Sequence, residues 1–118
     1  MTQSTKDSDG SDHDWDRQRE ETAWVWNDLR SKGVDFERAY KLDLQFLPSN
    51  PTADRRVFAE SLRALEYEVK FYRDDPTVEA TSPAMVLTIE SIWQHEQRTT
   101  EIALRCGFRP DGWGFTED

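Results

Sequence analysis

The stretch from Tyr40 to Leu47 constrains this chain more than any other: Tyr40, Leu42, Leu44 and Phe46 alternate with Lys41, Asp43 and Gln45. Successive side chains of a strand point to opposite faces, so this segment is a half-buried strand needing neighbours at its edges and a covering layer on one face. An all-helical fold is excluded. A second alternation, Tyr67, Val69 and Phe71 against Glu68, Lys70 and Tyr72, predicts another strand. Val78 to Ser82 predicts a third, between an Asp74-Asp75-Pro76 turn and Pro83, and Trp113 with Phe115, flanked by Gly112 and Gly114, suits a last short strand.

The other segments read at helical period. From Asp14 to Lys32, Asp14 caps, Glu20 and Glu21 lie toward the positive end, Arg30 and Lys32 toward the negative end, and Gly33 stops the helix. Gln18, Thr22, Val25, Trp26 and Leu29 share its inner face. Trp24 points away from that face and is a surface-aromatic candidate, although the usual burial of tryptophan favours packing on a neighbouring element. A second helix is expected from Asn50-Pro51-Thr52 to about Leu65, with Val57, Phe58, Ser61, Leu62 and Leu65 inward. A third runs from about Thr88 to Cys106, with an apolar stripe of Ile89, Ile92, Trp93, Ile102, Ala103 and Leu104. Without the first helix the order is β-α-β-β-α-β. That predicts an α+β, ferredoxin-like two-layer sandwich with an extra N-terminal helix. The open face of its sheet would carry Lys41, Asp43, Gln45, Glu68, Lys70, Tyr72, Glu79 and Thr81.

At 118 residues the chain accommodates one domain, expected at 13–118, after an acidic tail at 1–12 with nothing to bury. Only 36% of residues are hydrophobic but 12% are aromatic, so a few large side chains must build the core. A formal charge of −9 argues against binding bare RNA or anionic lipid. Residues 1–16 carry five Asp and one Lys, so the remainder holds −5 of that charge. The sequence contains neither a membrane-spanning run nor a secretory signal, and its one cysteine, Cys106, cannot form an internal disulfide; a cytoplasmic protein is expected.

Motif by motif, catalytic chemistry is not visible. Asp7, Asp9 and Ser11 fit the first positions of a calcium loop, but Asp12 stands where glycine is required and Gln18 where a bidentate Glu is. His95-Glu96 begins a zinc-protease pattern whose second histidine is Thr99. Glu96 and Glu101 diverge around a helix and cannot flank one bond. Glu96 lies near the apolar stripe and reads as a boundary residue reaching water or a basic partner. Cys106, at the negative end of a helix, is an unactivated structural thiol. Gly112-Trp113-Gly114-Phe115 has the Gly-aromatic rhythm of an RNA-recognition strand, but Asp111 precedes it where a base is needed and Asp118 stands where a further aromatic is. No catalytic residue, metal or cofactor is expected.

Three pieces read in register point to a family. Gln18-Arg19-Glu20-Glu21-Thr22 on the first helix, Leu65-Glu66-Tyr67-Glu68-Val69 at the second helix-strand join, and Asp111-Gly112-Trp113-Gly114 near the end resemble RraB, the regulators of ribonuclease E activity B. The resemblance implies a small acidic protein that binds ribonuclease E and lowers its cutting of RNA without cleaving anything itself. Glu66 stands where the family tends to have glycine, which argues against a left-handed helix end there. A basic partner suits an acidic, aromatic-rich surface. Two groups are the contact candidates: Glu20, Glu21 and Trp24 on the first helix, and Asp111, Gly112 and Trp113 in the closing segment, with Trp113 also eligible for the core. The alternative partner is another basic protein or nuclease, for which the domain would serve as an immunity or adaptor protein.

Overall fold

A computed structural model of the chain describes residues 13–117. The expected acidic tail at 1–12 lies outside the described residues. The element order is α1 (Trp15–Ser31), β1 (Ala39–Pro48), α2 (Arg55–Ala64), β2 (Glu68–Tyr72), β3 (Asp75–Thr81), β4 (Met85–Val86), α3 (Ile89–Arg105) and β5 (Phe108–Glu117). The fold is α+β, with three helices and a five-stranded antiparallel sheet.

The alternating segment becomes the central strand, because its one apolar face lets it pair on both edges while covered from one side. β5 runs along one edge of β1 from Tyr40↔Glu117 to Pro48↔Phe108, with a register shift between Leu44 and Phe46. On the other edge β3 pairs at residues 43–46, and β4 continues its line at Ala39 and Tyr40. β2 closes the far edge of β3. Two features escaped the sequence. β5 is ten residues long rather than a short strand around Trp113, and β4 is a two-residue strand too short to carry any period.

The core lies between the sheet and the helices. Phe58 of α2 meets Phe46 edge-on at 5.1 Å and Phe108 at 4.9 Å, with Leu42, Leu44, Leu62, Val78 and Ile92 filling in around them. α2 starts at Arg55, later than expected, because the Asn50 side chain accepts from the Thr52 amide at 2.9 Å and holds Pro51-Thr52 in a turn. Its buried face is consequently Phe58, Ala59 and Leu62, whereas Val57 and Leu65, expected inside, are exposed. Phe71 is likewise partly exposed at the sheet edge, covered by the guanidiniums of Arg55 and Arg63 at 4.6 and 5.9 Å from the ring centre.

The end of α2 corrects a second expectation. Glu66 does adopt the left-handed conformation, at φ +72°. Its amide donates to the Arg63 carbonyl at 2.9 Å and the Tyr67 amide to the Leu62 carbonyl at 3.2 Å, so a hydrogen-bonded cap forms with glutamate in the usual glycine place. Buried Tyr67 and Leu62, both in the core, hold the turn from within. Gly107 is where glycine is indispensable: it sits at φ +87°, and a Cβ there would stand 2.8 Å from the Ala53 backbone.

The open face of the sheet is polar, as the alternation requires. Glu79 accepts from Tyr72 at 2.6 Å and Gln45 at 3.2 Å, and Asp43 accepts from Thr81 at 2.7 Å. Trp113 and Phe115 face the other way. Phe115 packs edge-on against Tyr40 and Phe36, with centroids 5.0 and 5.6 Å apart, so the Gly-aromatic segment presents its rings to the helical layer rather than to the open face.

Candidate functional site

α1 packs on α3, antiparallel to it, through the face its periodicity marks as inner. At one end Trp26 stacks on Phe36 at 5.1 Å and donates its indole N–H to the Leu87 carbonyl at 3.0 Å. At the other, Trp15 meets Trp93 edge-on at 6.2 Å. Between these aromatic clamps the two buried residues of α1, Gln18 and Thr22, are polar.

Their partners come from the middle of α3. Gln18 Nε2 donates to Glu96 Oε2 at 3.4 Å and to Thr100 Oγ1 at 3.2 Å, and the Thr22 hydroxyl donates to Glu96 Oε1. His13 reaches Gln18 Oε1 at 2.6 Å. Glu96 is only 5% exposed, which overturns its reading as a boundary residue open to water. The buried stripe of α3 runs through Ile92, Trp93, Glu96, Thr99, Thr100 and Ala103, because the sheet covers one flank and α1 the other. Burial pushes the Glu96 carboxyl up from the ordinary 4.5 to about 7; the Thr22 and Gln18 hydrogen bonds oppose the rise and the nearby Glu21 charge adds to it.

Beside this seam opens a cavity of about 360 Å³. Its walls come from α1 and the residues before it (His13, Asp14, Arg17, Gln18, Glu21, Thr22, Val25), from β5 (Pro110, Gly112, Trp113) and from Glu96. Arg17 lines the mouth and pairs with Glu21 at 3.3 Å. The two sequence-marked groups thus meet: Glu21 of the first and Gly112 with Trp113 of the second share one cavity. Glu20, Trp24 and Asp111 are exposed but do not line it. Trp24, at 68% exposed, does not pack on a neighbouring element as tryptophan burial favours. Trp113 is half-buried against the core, as its core alternative expects, and also lines the cavity.

Sequence reasoning missed Gln18, Thr22, Glu96 and Thr100 as a unit. The signal was present: polar residues at i and i+4 on the inner face of one helix, and a glutamate directed toward the stripe of another. Polar groups on two buried faces must find each other.

His95, one residue earlier, points elsewhere. Its Nδ1 lies 2.6 Å from the Tyr67 hydroxyl, to which Arg98 donates at 3.0 Å, and burial followed by the Arg98 charge lowers its pKa. Among the described residues no group of three or more His, Cys, Asp and Glu could hold a metal ion, and burial pushes the Cys106 thiol up, as expected of an unactivated thiol. No helix among them is long and apolar enough to cross a membrane.

No curated protein matches the chain by sequence. A family model described as Regulator of ribonuclease activity B, RraB, matches residues 19–115, which span α1 from its fifth residue to β5 and include Glu96 and every cavity-lining position from Glu21 onward. The chain therefore belongs to the RraB family of ribonuclease regulators.

Proposed function

We propose that this protein is a non-catalytic, cytoplasmic regulator that binds ribonuclease E and lowers its endonucleolytic cutting of RNA. The family match over residues 19–115 carries the reading. The charge supports it: an excess of nine acidic groups repels RNA and attracts the basic segments with which RNA-processing enzymes hold their substrate. A strand order of β2-β3-β1-β5, with the helices against one face, supports the ferredoxin-like topology as the scaffold. The contact surface we assign is the cavity edge of Glu21, Gly112 and Trp113, flanked by Glu20, Trp24 and Asp111. Trp24 supplies an exposed aromatic anchor of the kind that dominates interface energetics.

The test is a purified system: ribonuclease E, a labelled RNA and this protein, with binding followed by calorimetry. Slower cleavage, direct binding that weakens with salt, and intact RNA when the protein is incubated alone with divalent metal are expected. Binding absent at low salt removes ribonuclease E as the partner; capture of a different basic nuclease then favours the immunity or adaptor role. Cleavage by the protein alone, abolished by Glu96→Gln, overturns the non-catalytic reading.

A further inference from the structure

We propose that the cavity between α1 and β5 is a socket for one arginine side chain of the partner, with Glu96 as its floor and Trp113 as its wall. The proposal rests on the reading of this chain as a binding protein and names the chemistry that its site would take.

Four observations carry it. The space, about 360 Å³, lies at the small end of ligand cavities, so it admits one long side chain and no folded element. Val25, Pro110, Gly112 and Trp113 give it apolar walls that suit a methylene stem, and an indole face attracts a guanidinium by stacking and by its quadrupole. The floor is a buried carboxyl that receives hydrogen bonds from Thr22 and Gln18, leaving part of its acceptor capacity unused, and no Lys or Arg among the described residues forms an ion pair with it. The mouth carries the acids Asp14 and Glu21 beside His13 and Arg17, and the Arg17 guanidinium is engaged with Glu21.

A buried carboxylate without a counter-charge is unfavourable, and an incoming guanidinium supplies that charge in the planar geometry that carboxylates accept best. Alternative occupants fit worse. An anion would meet Glu96, Glu21 and Asp14, and an apolar side chain would leave the ionised floor unpaired. Occupancy favours the ionised form of Glu96, so binding releases a proton near neutrality and tightens as pH rises from 6 to 8. The charged and titratable groups that line the cavity with this carboxyl are Arg17, Glu21, Asp14 and His13 from α1 and its lead-in, of which Glu21 raises its pKa, whereas β5 contributes only uncharged Pro110, Gly112 and Trp113.

The test uses the full chain and two probes, N-acetyl-arginine amide and its neutral isostere N-acetyl-citrulline amide, followed by NMR at pH 8. The arginine probe should shift the Trp113 indole N–H and the Gln18 side-chain amide saturably, and citrulline should not. Glu96→Gln, which keeps shape, and Val25→Phe, which fills the wall, should each abolish saturation and weaken binding to ribonuclease E at least tenfold. Wild-type affinity should rise about fivefold between pH 6 and pH 8, and the Glu96→Gln profile should be flatter. Arginine shifts that are absent from the wild type, or unchanged in Glu96→Gln, overturn the socket. If Val25→Phe does not fold by circular dichroism, the isosteric variant alone decides. The two readings separate cleanly: arginine saturation without ribonuclease E binding keeps the socket and removes the partner, whereas equal enzyme binding by wild type and both variants keeps the partner and removes the socket.

Discussion

α3 has two flanks, and they are built on opposite principles. Toward the sheet, Ile92 and Ala103 join the packing of Phe58, Phe46 and Phe108, where every group is apolar and shape decides the fit. Toward α1, Glu96, Thr100, Gln18 and Thr22 meet, with aromatic clamps at either end and an open cavity alongside. The first arrangement stabilises by removing hydrocarbon from water; the second spends burial on polar groups whose net contribution is small. Apolar burial is concentrated on one side of the helix and a titratable polar cluster on the other, so substitutions on the two flanks should differ in size and also in pH dependence.

The largest effect is expected on the apolar flank. Phe58→Ala removes a fully buried ring and should destabilise by about 3–5 kcal/mol in denaturant titration, equally at pH 5 and pH 8 because no titratable group is involved. A marked pH dependence of that loss would show the two flanks to be coupled. Next is Glu96→Gln. The folded carboxyl titrates near 7 against an ordinary 4.5, so its stabilising neutral form is fully present below pH 4.5 and is lost as pH rises through 7. The variant cannot ionise; its advantage over wild type should therefore grow across that window and level off above it, at about 3 kcal/mol. Equal melting temperatures at pH 8 would place Glu96 in contact with water or a cation and dissolve the distinction between the flanks.

What was legible in the sequence divides along the same line. Alternation in β1 and β2 and the stripe of α3 follow from apolar periodicity, and one buried face per element suffices to assemble the apolar flank. The polar flank depends on pairing between helices far apart in the chain: Gln18 and Glu96 are separated by 78 residues, and neither element states which polar residue will face which. Glu96 alone reads as a boundary residue because the sequence does not reveal that α1 covers it. Likewise, the motif at Asp111–Trp113 and the acidic face of α1 are each visible separately, but only the antiparallel docking of α1 brings Glu21 and Trp113 to one cavity. Trp24 is the converse case: its direction away from the inner face of α1 reads correctly as surface, and the usual burial of tryptophan fails because no neighbour covers it.

Smaller changes sharpen the contrast. Thr22→Val keeps the shape of the seam and removes a hydrogen bond to Glu96 that lowers its pKa. The Glu96 pKa should rise further in a carboxyl NMR titration, and stability should fall by about 2 kcal/mol at pH 8 and less at pH 5, where a neutral carboxyl depends less on that donor. An equal loss at both values would mean that the hydroxyl serves packing rather than charge.

The smallest effect tests whether the apolar flank is free of strain. Glu66 closes α2 in a left-handed conformation at φ +72°, which opposes a residue with a Cβ by about 1–2 kcal/mol. Glu66→Gly removes that opposition but gives the unfolded chain more freedom, an effect of about 0.5–1 kcal/mol in the other direction. The net expectation is a gain of about 0.5–1 kcal/mol, independent of pH, because the Glu66 side chain is exposed and remote from the seam. The cap bonds from Glu66 to Arg63 and from Tyr67 to Leu62 use backbone amides and survive the change. A loss of stability would mean that the Glu66 side chain itself supports the turn, and the apolar flank would then owe part of its order to a charged residue.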